Sequence, residues 1–156
     1  RTMASVCATR RFVRHARCFG RRPMASEAHN KKPPPAAIEV LRALEAPLVL
    51  DVRDPAEVAA GKGGPPAKIA GALNVPLNVD GLPQSQRATT LDEFEAKLAA
   101  AGVALPDDKA APIVTHCGSG GRGGKAAALL SEMGYVNAHN GGSPAHLAQA
   151  GIGASS

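Results

Sequence analysis

The residues most suited to chemistry are Cys117 and the glycine-rich segment that follows it, residues 118–123. Glycines permit positive φ angles, so successive backbone N–H groups can turn inward and bind an anion. The alanine- and leucine-rich run after this segment predicts a helix, whose N-terminal end adds partial positive charge. A cysteine in such surroundings is favoured as the thiolate, its nucleophilic form. The pattern predicts a nucleophilic cysteine within an anion-binding loop.

Two nucleotide-binding motifs share part of this segment, and neither is complete. The dinucleotide fingerprint requires an acidic residue about 20 positions after its glycines, but no Asp or Glu follows Glu132. A P-loop requires a Gly six residues before its Lys and a Ser or Thr directly after it. Around Lys125 those positions hold Ser119 and Ala126. A nucleotide site is therefore not expected, although three glycines fit the first motif: Gly118, Gly120 and Gly123.

A third motif is the His-Cys-x5-Arg loop of cysteine-dependent phosphatases. His116 and Cys117 fit its beginning, but Arg122 follows the cysteine after four residues rather than five. The loop is therefore one residue shorter than a phosphatase loop. Because His116 follows an apolar run, we interpret it as a packed or hydrogen-bonded histidine rather than a catalytic base.

The pattern Cys117-x-x-Gly120-x-Arg122 resembles the active-site loop of single-domain rhodaneses, which are sulfurtransferases. Four other segments resemble the signatures of that family in the same order: 48–57, 68–76, 134–137 and 141–142. The resemblance covers roughly residues 36–150. Two positions depart from the family's usual pattern, since Lys68 stands where His is common and Gly123 where Ser or Thr is frequent. The tryptophan that often follows the Gly-Gly pair is also missing.

The resemblance implies a single α/β domain with a central, mostly parallel sheet and helices on both faces. It implies that Cys117 accepts a sulfane sulfur from thiosulfate or a persulfide and passes it to a thiol or cyanide. No metal or cofactor is expected to take part. Asp51 and Arg53, at the end of a strand, are expected to support the loop as a pair, with direct substrate contact as the alternative. The substrate-binding set is expected to be Gly118, Ser119, Gly120, Gly121, Arg122 and Gly123.

Two other functional classes remain open at this stage. One is a phosphatase or arsenate reductase, against which the short loop argues. The other is a non-catalytic rhodanese-like module that carries sulfur or binds a partner, against which the presence of both Cys117 and Arg122 argues. The expected partners are a small sulfur donor and its acceptor, and neither nucleic acid nor a membrane span is expected. The sequence does not indicate an oligomeric state.

The charge of the chain is concentrated at its beginning. Residues 1–32 contain nine Arg or Lys residues and one acid, whereas residues 33–156 contain nine basic and twelve acidic residues. An Arg-rich, acid-poor, amphipathic segment is typical of organelle targeting peptides. Because serine is sparse in this segment, its composition favours targeting to the mitochondrial rather than the plastid matrix. The alternative is a basic tail that binds nucleic acid or anionic lipid.

The remaining residues, 33–154, are expected to form the rhodanese-like domain. Cys7 and Cys18 lie in the leader, so Cys117 is the only thiol of this domain. Neither an internal disulfide nor a zinc site is expected in it.

Strand and helix patterns alternate along this domain, which predicts an α/β fold with a parallel sheet. Two helix starts carry the capping-box pattern, Asp54 with Glu57 and Thr90 with Glu93. No apolar run approaches the length of about 18 residues that a membrane span needs. The predicted strands are 48–52, 73–75, 113–116 and 136–139, and the predicted helices are 36–46, 55–60, 90–101, 126–134 and 144–150.

Overall fold

The computed structural model describes residues 32–153. The predicted targeting leader therefore lies, except for Lys32, outside the described residues. None of the described helices is long and apolar enough to cross a membrane. In chain order the elements are α1 (Ile38–Arg42), β1 (Leu48–Asp51), α2 (Pro55–Ala59), β2 (Leu73–Asn74), α3 (Leu91–Ala100), β3 (Ile113–His116), α4 (Gly121–Glu132), β4 (Ala138–Asn140) and α5 (Pro144–Gln149).

The four strands form one parallel sheet in the order β2-β1-β3-β4. The strand order reverses between β1 and β3, and ligands of open α/β sheets bind outside the carboxyl ends of the strands at such a point. In the register of this pair, Asp51 lies beside His116, the last residue of β3. The Val52 N–H donates to the His116 carbonyl at 2.9 Å, which extends the pairing by one bond. The fold thus brings the segment after β1 next to Cys117.

Helices cover both faces of the sheet. On one face, Val49 and Val114 pack with Leu41 of α1 and Leu147 of α5. On the other face, Leu50 and Ile113 belong to the larger core cluster, together with residues of α3 and α4: Phe94, Leu98, Ala126 and Leu130. The predicted fold, a parallel sheet flanked by helices on both faces, is confirmed.

Helices α1 and α4 differ most from the prediction, whereas the other elements agree with it within two residues at each end. Helix α1 spans only Ile38–Arg42 rather than 36–46, and Ala46 adopts a positive φ of 44°. Helix α4 begins at Gly121, five residues before the predicted start at 126. By contrast, α3 has the predicted capping box: Thr90 Oγ1 accepts the Glu93 N–H at 3.3 Å, and Glu93 Oε2 accepts the Thr90 N–H at 3.0 Å.

A short segment before α1, residues 33–36, binds along the edge of the domain, and we call it the proline strap. Asn140 Nδ2 donates to the carbonyls of the first two prolines of the strap, at 3.1 Å each. The Ala36 N–H donates to the Asn140 carbonyl at 2.8 Å. Pro33 lies directly over Gly124 of α4, where an added Cβ would come within 2.5 Å of the Pro33 Cβ. The strap therefore requires a residue without a side chain at position 124.

Candidate active site

Cys117 lies directly after β3, at the N-terminal end of α4. Its side chain is buried, and its Sγ accepts a hydrogen bond from the Gly120 N–H at 3.1 Å. Its own N–H donates to the Gly142 carbonyl at 3.1 Å. Gly142 is held in turn by Asn140 Oδ1, which accepts the Gly142 N–H at 3.1 Å. The loop after β4 thus fixes the main chain that carries the thiol.

The turn between Cys117 and α4 depends on Gly120. This residue is the N-cap of α4 and has a φ of 86°, in the left-handed region where a side chain is strained. A Cβ at this position would also lie 3.2 Å from the Gly142 Cα. The first N–H groups of a helix have no partner within the helix and carry its partial positive charge. The start of a twelve-residue helix therefore faces the sulfur.

The predicted binding residues divide between the loop and the helix. Gly118 and Ser119 lie in the loop, whereas α4 already includes the other three predicted residues after Gly120: Gly121, Arg122 and Gly123. Glycine has a low intrinsic helix propensity, which is why the sequence predicted a later start. Tertiary contacts compensate, since Thr115 Oγ1 donates to the Gly123 carbonyl at 2.7 Å. The Gly123 carbonyl thus links α4 to β3.

Arg122 points toward α2, where two carboxylates meet its guanidinium. Its Nη1 lies 2.5 Å from Glu57 Oε2 and 3.5 Å from Asp54 Oδ2. The hydrogen bond from Arg122 is the main cause that lowers the pKa of Glu57 to about 2. Burial opposes the charge on Arg122, but Glu57 and the negative charges of Cys117 and Asp54 outweigh it and raise the arginine's pKa. The arginine is therefore charged and held in place.

Asp51 and Arg53 form a buried ion pair behind the loop. Arg53 Nη2 lies 2.5 Å from Asp51 Oδ2, and Arg53 also donates to the carbonyls of Lys62, at 2.7 Å, and Ala67, at 2.9 Å. These bonds hold the 61–67 loop against the cysteine loop. Gly118 lies so close that its carbonyl and Cα are 3.0 and 2.9 Å from where a Cβ of residue 63 would be. The ion pair of Asp51 and Arg53 therefore lies where it can support the cysteine loop from behind.

Comparison with known families gives the identity of this fold. Residues 36–145 match the family model of the rhodanese-like domain. The chain belongs to the rhodanese-like family. This match agrees with the resemblance seen in the sequence. Among curated proteins, a sequence search found no match to the chain.

His116 of this rhodanese-like domain, the last residue of β3 and the neighbour of Cys117 in the sequence, is fully buried. Among the described residues neither ring nitrogen has a hydrogen-bond partner, and Nε2 lies 3.8 Å from Asp51 Oδ2. Burial lowers its pKa to about 4, and the Asp51 charge offsets only part of that effect. The ring is therefore neutral at pH 7. This agrees with the interpretation of His116 as a packed residue rather than a base.

Three polar residues of the rhodanese-like site were not predicted as functional. Glu57 and Asp54 were interpreted only as a capping box, and Asn78 was assigned no role. Glu57 Oε2 does accept the Asp54 N–H, at 3.2 Å. The Asp54 carboxylate, however, accepts from Asn78 Nδ2 at 2.8 Å and faces Arg122. The capping box predicted for Asp54 and Glu57 is present, and the same Asp54 carboxylate also reaches Arg122 in the site.

Proposed function

We propose that this rhodanese-like domain is a sulfurtransferase that carries a sulfane sulfur on Cys117. The observation that supports this most strongly is the hydrogen bond from the Gly120 N–H to the Cys117 sulfur at the start of α4. Backbone N–H groups at a helix N-terminus stabilise a negatively charged sulfur, both the thiolate and the persulfide. Asp51 and Arg53 form a buried ion pair behind this loop, in a position to support it.

In the first half-reaction the Cys117 thiolate attacks the outer sulfur of a donor such as thiosulfate. A bond forms between Sγ and that sulfur, the sulfur–sulfur bond of the donor breaks, and sulfite leaves with the electron pair. The terminal sulfur of the resulting persulfide carries the negative charge. The free N–H groups at the start of α4 and the Arg122 guanidinium are the groups that would hold it. The mechanism uses no side-chain base, since the Gly120 N–H and the start of α4 stabilise the thiolate form that attacks.

In the second half-reaction an acceptor thiolate or cyanide attacks the terminal sulfur. The bond to Sγ breaks, its electron pair returns to Cys117, and the acceptor leaves as a persulfide or as thiocyanate. The cysteine thiolate is thereby regenerated without oxidation or reduction of the enzyme. This is nucleophilic covalent catalysis with ping-pong kinetics.

The length of the loop favours sulfur over phosphate as the transferred group. Only four residues separate Cys117 from Arg122, and α4 begins at the fourth of them. A single sulfur atom can be enclosed by few N–H groups, whereas a phosphoryl group has three equatorial oxygens to bind. We therefore expect no hydrolysis of an aryl phosphate.

Intact-mass measurement after incubation with thiosulfate tests the proposal directly. The full chain should gain one sulfur atom, cyanide should remove it as thiocyanate, and Cys117→Ser should neither gain sulfur nor turn over. If Cys117 gains sulfur but no acceptor removes it, the domain is a carrier rather than an enzyme. Hydrolysis of an aryl phosphate faster than sulfur transfer would contradict the proposal.

The basic leader supports a second proposal, that the protein acts in an organelle matrix and is targeted there by residues 1–32. Its nine basic residues and single acid have the composition of a targeting peptide. A fluorescent protein fused after Lys32 should enter mitochondria in cells. Entry into plastids instead, or retention in the cytosol, would contradict the mitochondrial assignment.

A further inference from the structure

The side chains at the mouth of the site form a chain of alternating charge. Glu57 uses both carboxylate oxygens: Oε2 lies 2.5 Å from Arg122 Nη1, and Oε1 lies 2.6 Å from Lys62 Nζ. Asp54 adds a second carboxylate 3.5 Å from the same arginine nitrogen. Lys62 belongs to the loop that covers the cysteine loop, since its main chain is in contact with Gly118. One glutamate thus binds two cations beside the sulfur site.

These four side chains together carry no net charge. Glu57 is ionised at neutral pH, because Arg122 holds its pKa at about 2, and it is only 18% exposed, so solvent screens it weakly. Lys125, the other cation at the start of α4, donates instead to the Gln84 carbonyl at 3.0 Å. Arg122 contacts both carboxylates through Nη1, which leaves the other donors of its fork for a substrate. The site therefore offers hydrogen-bond donors without a large excess of positive charge.

We propose that Glu57 determines donor specificity: together with Asp54 it balances the charges of Arg122 and Lys62, and it thereby makes the site select sulfane-sulfur donors of low negative charge over dianions. This inference rests on the proposed sulfurtransferase function. The preferred substrate class is singly charged donors, such as the persulfide anions of small neutral thiols. Thiosulfate carries two negative charges, so its kcat/KM should be lower than its chemical reactivity alone would give.

Two donors that differ in charge but deliver the same kind of sulfur atom allow a direct test. Thiosulfate is a dianion and releases sulfite, whereas benzenethiosulfonate is a monoanion and releases benzenesulfinate. In both cases the Cys117 thiolate bonds to the outer sulfur, and the sulfur–sulfur bond of the donor breaks with its electron pair on the leaving group. Because the intrinsic reactivities of the two donors are the same for every variant, a change in the ratio of their kcat/KM values between variants reports a change in the charge selectivity of the site.

The test variant is Glu57→Gln, which keeps a hydrogen-bond acceptor for the Asp54 N–H but removes the negative charge. A unit charge a few ångströms from a partly buried site changes the energy of a further charge enough for about a tenfold effect. We expect kcat/KM for thiosulfate to rise about tenfold relative to benzenethiosulfonate, mainly through KM. We also expect the thiosulfate KM of the variant to increase with salt more steeply than that of the wild type.

Glu93→Gln is the matched control. Glu93 also occupies the third position of a capping box and lies 2.6 Å from an arginine, Arg87, but it does not contact Arg122. Its substitution should leave the donor ratio unchanged.

Lys62→Gln provides a second test in the opposite direction. It removes one positive charge beside Glu57, so the site becomes more negative and kcat/KM for thiosulfate should fall relative to benzenethiosulfonate. Lys62 is 65% exposed, so this variant should fold normally.

The outcomes separate this inference from the proposed function. If the wild type takes up sulfur from neither donor, the sulfurtransferase proposal is wrong. If it takes up sulfur from both, but Glu57→Gln and Lys62→Gln leave the donor ratio at the wild-type value, the role of Glu57 in specificity is wrong. Opposite shifts in the two variants, with no shift in Glu93→Gln, would support it.

Discussion

The Asp51 carboxylate and the Arg53 guanidinium face each other in the interior at two contacts, 2.5 Å between Oδ2 and Nη2 and 2.9 Å between Oδ1 and Nε. Arg53 is fully buried and Asp51 nearly so. The remaining donors of the guanidinium bind the Lys62 and Ala67 carbonyls. One arginine therefore connects the end of β1 to the loop that lies on the cysteine loop.

Removal of Arg53 should destabilise the protein strongly. In Arg53→Met the Asp51 carboxylate stays buried without its partner, and loss of one member of a buried pair costs about 3–5 kcal/mol. Urea denaturation should show this decrease in the free energy of unfolding. The double variant Asp51→Asn with Arg53→Met should recover part of it, since the uncompensated charge is gone. A single variant within about 0.5 kcal/mol of the wild type would show that the pair does not contribute as described.

The two capping-box residues should behave differently. Thr90→Ala removes a side-chain acceptor at the start of α3 and should cost about 0.5–2 kcal/mol of stability with unchanged turnover. Asp54→Ala removes the carboxylate beside Arg122, so kcat/KM for thiosulfate should rise by about threefold while stability falls. Unfolding midpoints and steady-state rates measured on both variants provide the comparison. A change in turnover for Thr90→Ala would contradict the assignment of Thr90 to stability alone.

Stability should fall in acid because of His116. Its pKa is about 4 in the folded protein, against an ordinary value of 6.5, so the unfolded chain binds a proton first. The free energy of unfolding should therefore decrease as pH falls from about 6.5 to about 4, by on the order of 3 kcal/mol. His116→Phe should remove this dependence. Glu57 contributes to stability in a lower pH range. Its pKa is about 2 in the folded protein against an ordinary value of 4.5, so its stabilising effect is lost only as the pH falls below 4.5.

Denaturation series at several pH values would distinguish these two groups. Equal slopes for the wild type and His116→Phe between pH 6.5 and 4 would mean that another group is responsible.

Arg122→Ala should weaken donor binding rather than abolish the thiolate. Charge-assisted hydrogen bonds are worth about 1.5–3 kcal/mol, which corresponds to a loss of roughly 10- to 150-fold in kcat/KM. Loading of Cys117 with sulfur should still be complete after long incubation. Arg87→Ala is the control, because Arg87 also bridges two carboxylates, those of Asp80 and Glu93. Equal rates for the wild type and Arg122→Ala would assign Arg122 to structure alone.

Local patterns predicted most of the fold. Strand β3 has the predicted boundaries, and α3 starts where the capping box placed it, because both depend on neighbouring residues in the sequence. The early start of α4 was missed because Gly121, Gly123 and Gly124 disfavour a helix locally. The first turn of α4 is stabilised by contacts with Thr115 and the proline strap, which are not part of the local sequence pattern.

The glycine-rich loop after Cys117 and the helix behind it could be predicted from the sequence because their residues are contiguous. The partners of Arg122 could not, since Asp54 lies 68 positions away and is recognisable locally only as the start of a helix. In the order β2-β1-β3-β4, β1 and β3 are neighbours, so the beginnings of α2 and α4, which follow them, meet through Arg122. The contact between these carboxylates and Arg122 can be predicted only once the strand order is known. The same holds for Asn140, which links the strap to the cysteine loop.

The proline strap limits where a targeting leader, if the proposed one is removed, can be cut. The cut has to fall before Pro33, because a later cut would take away the carbonyls that Asn140 binds. Lys32 already lies at the start of α4, with its Cγ 3.8 Å from where a Gly121 Cβ would be. A cut between Lys32 and Pro33 would remove this lysine and leave Pro33, which packs on Gly124 of α4, as the first residue. The position of the cut would therefore decide whether the charge of Lys32 stays at the start of α4.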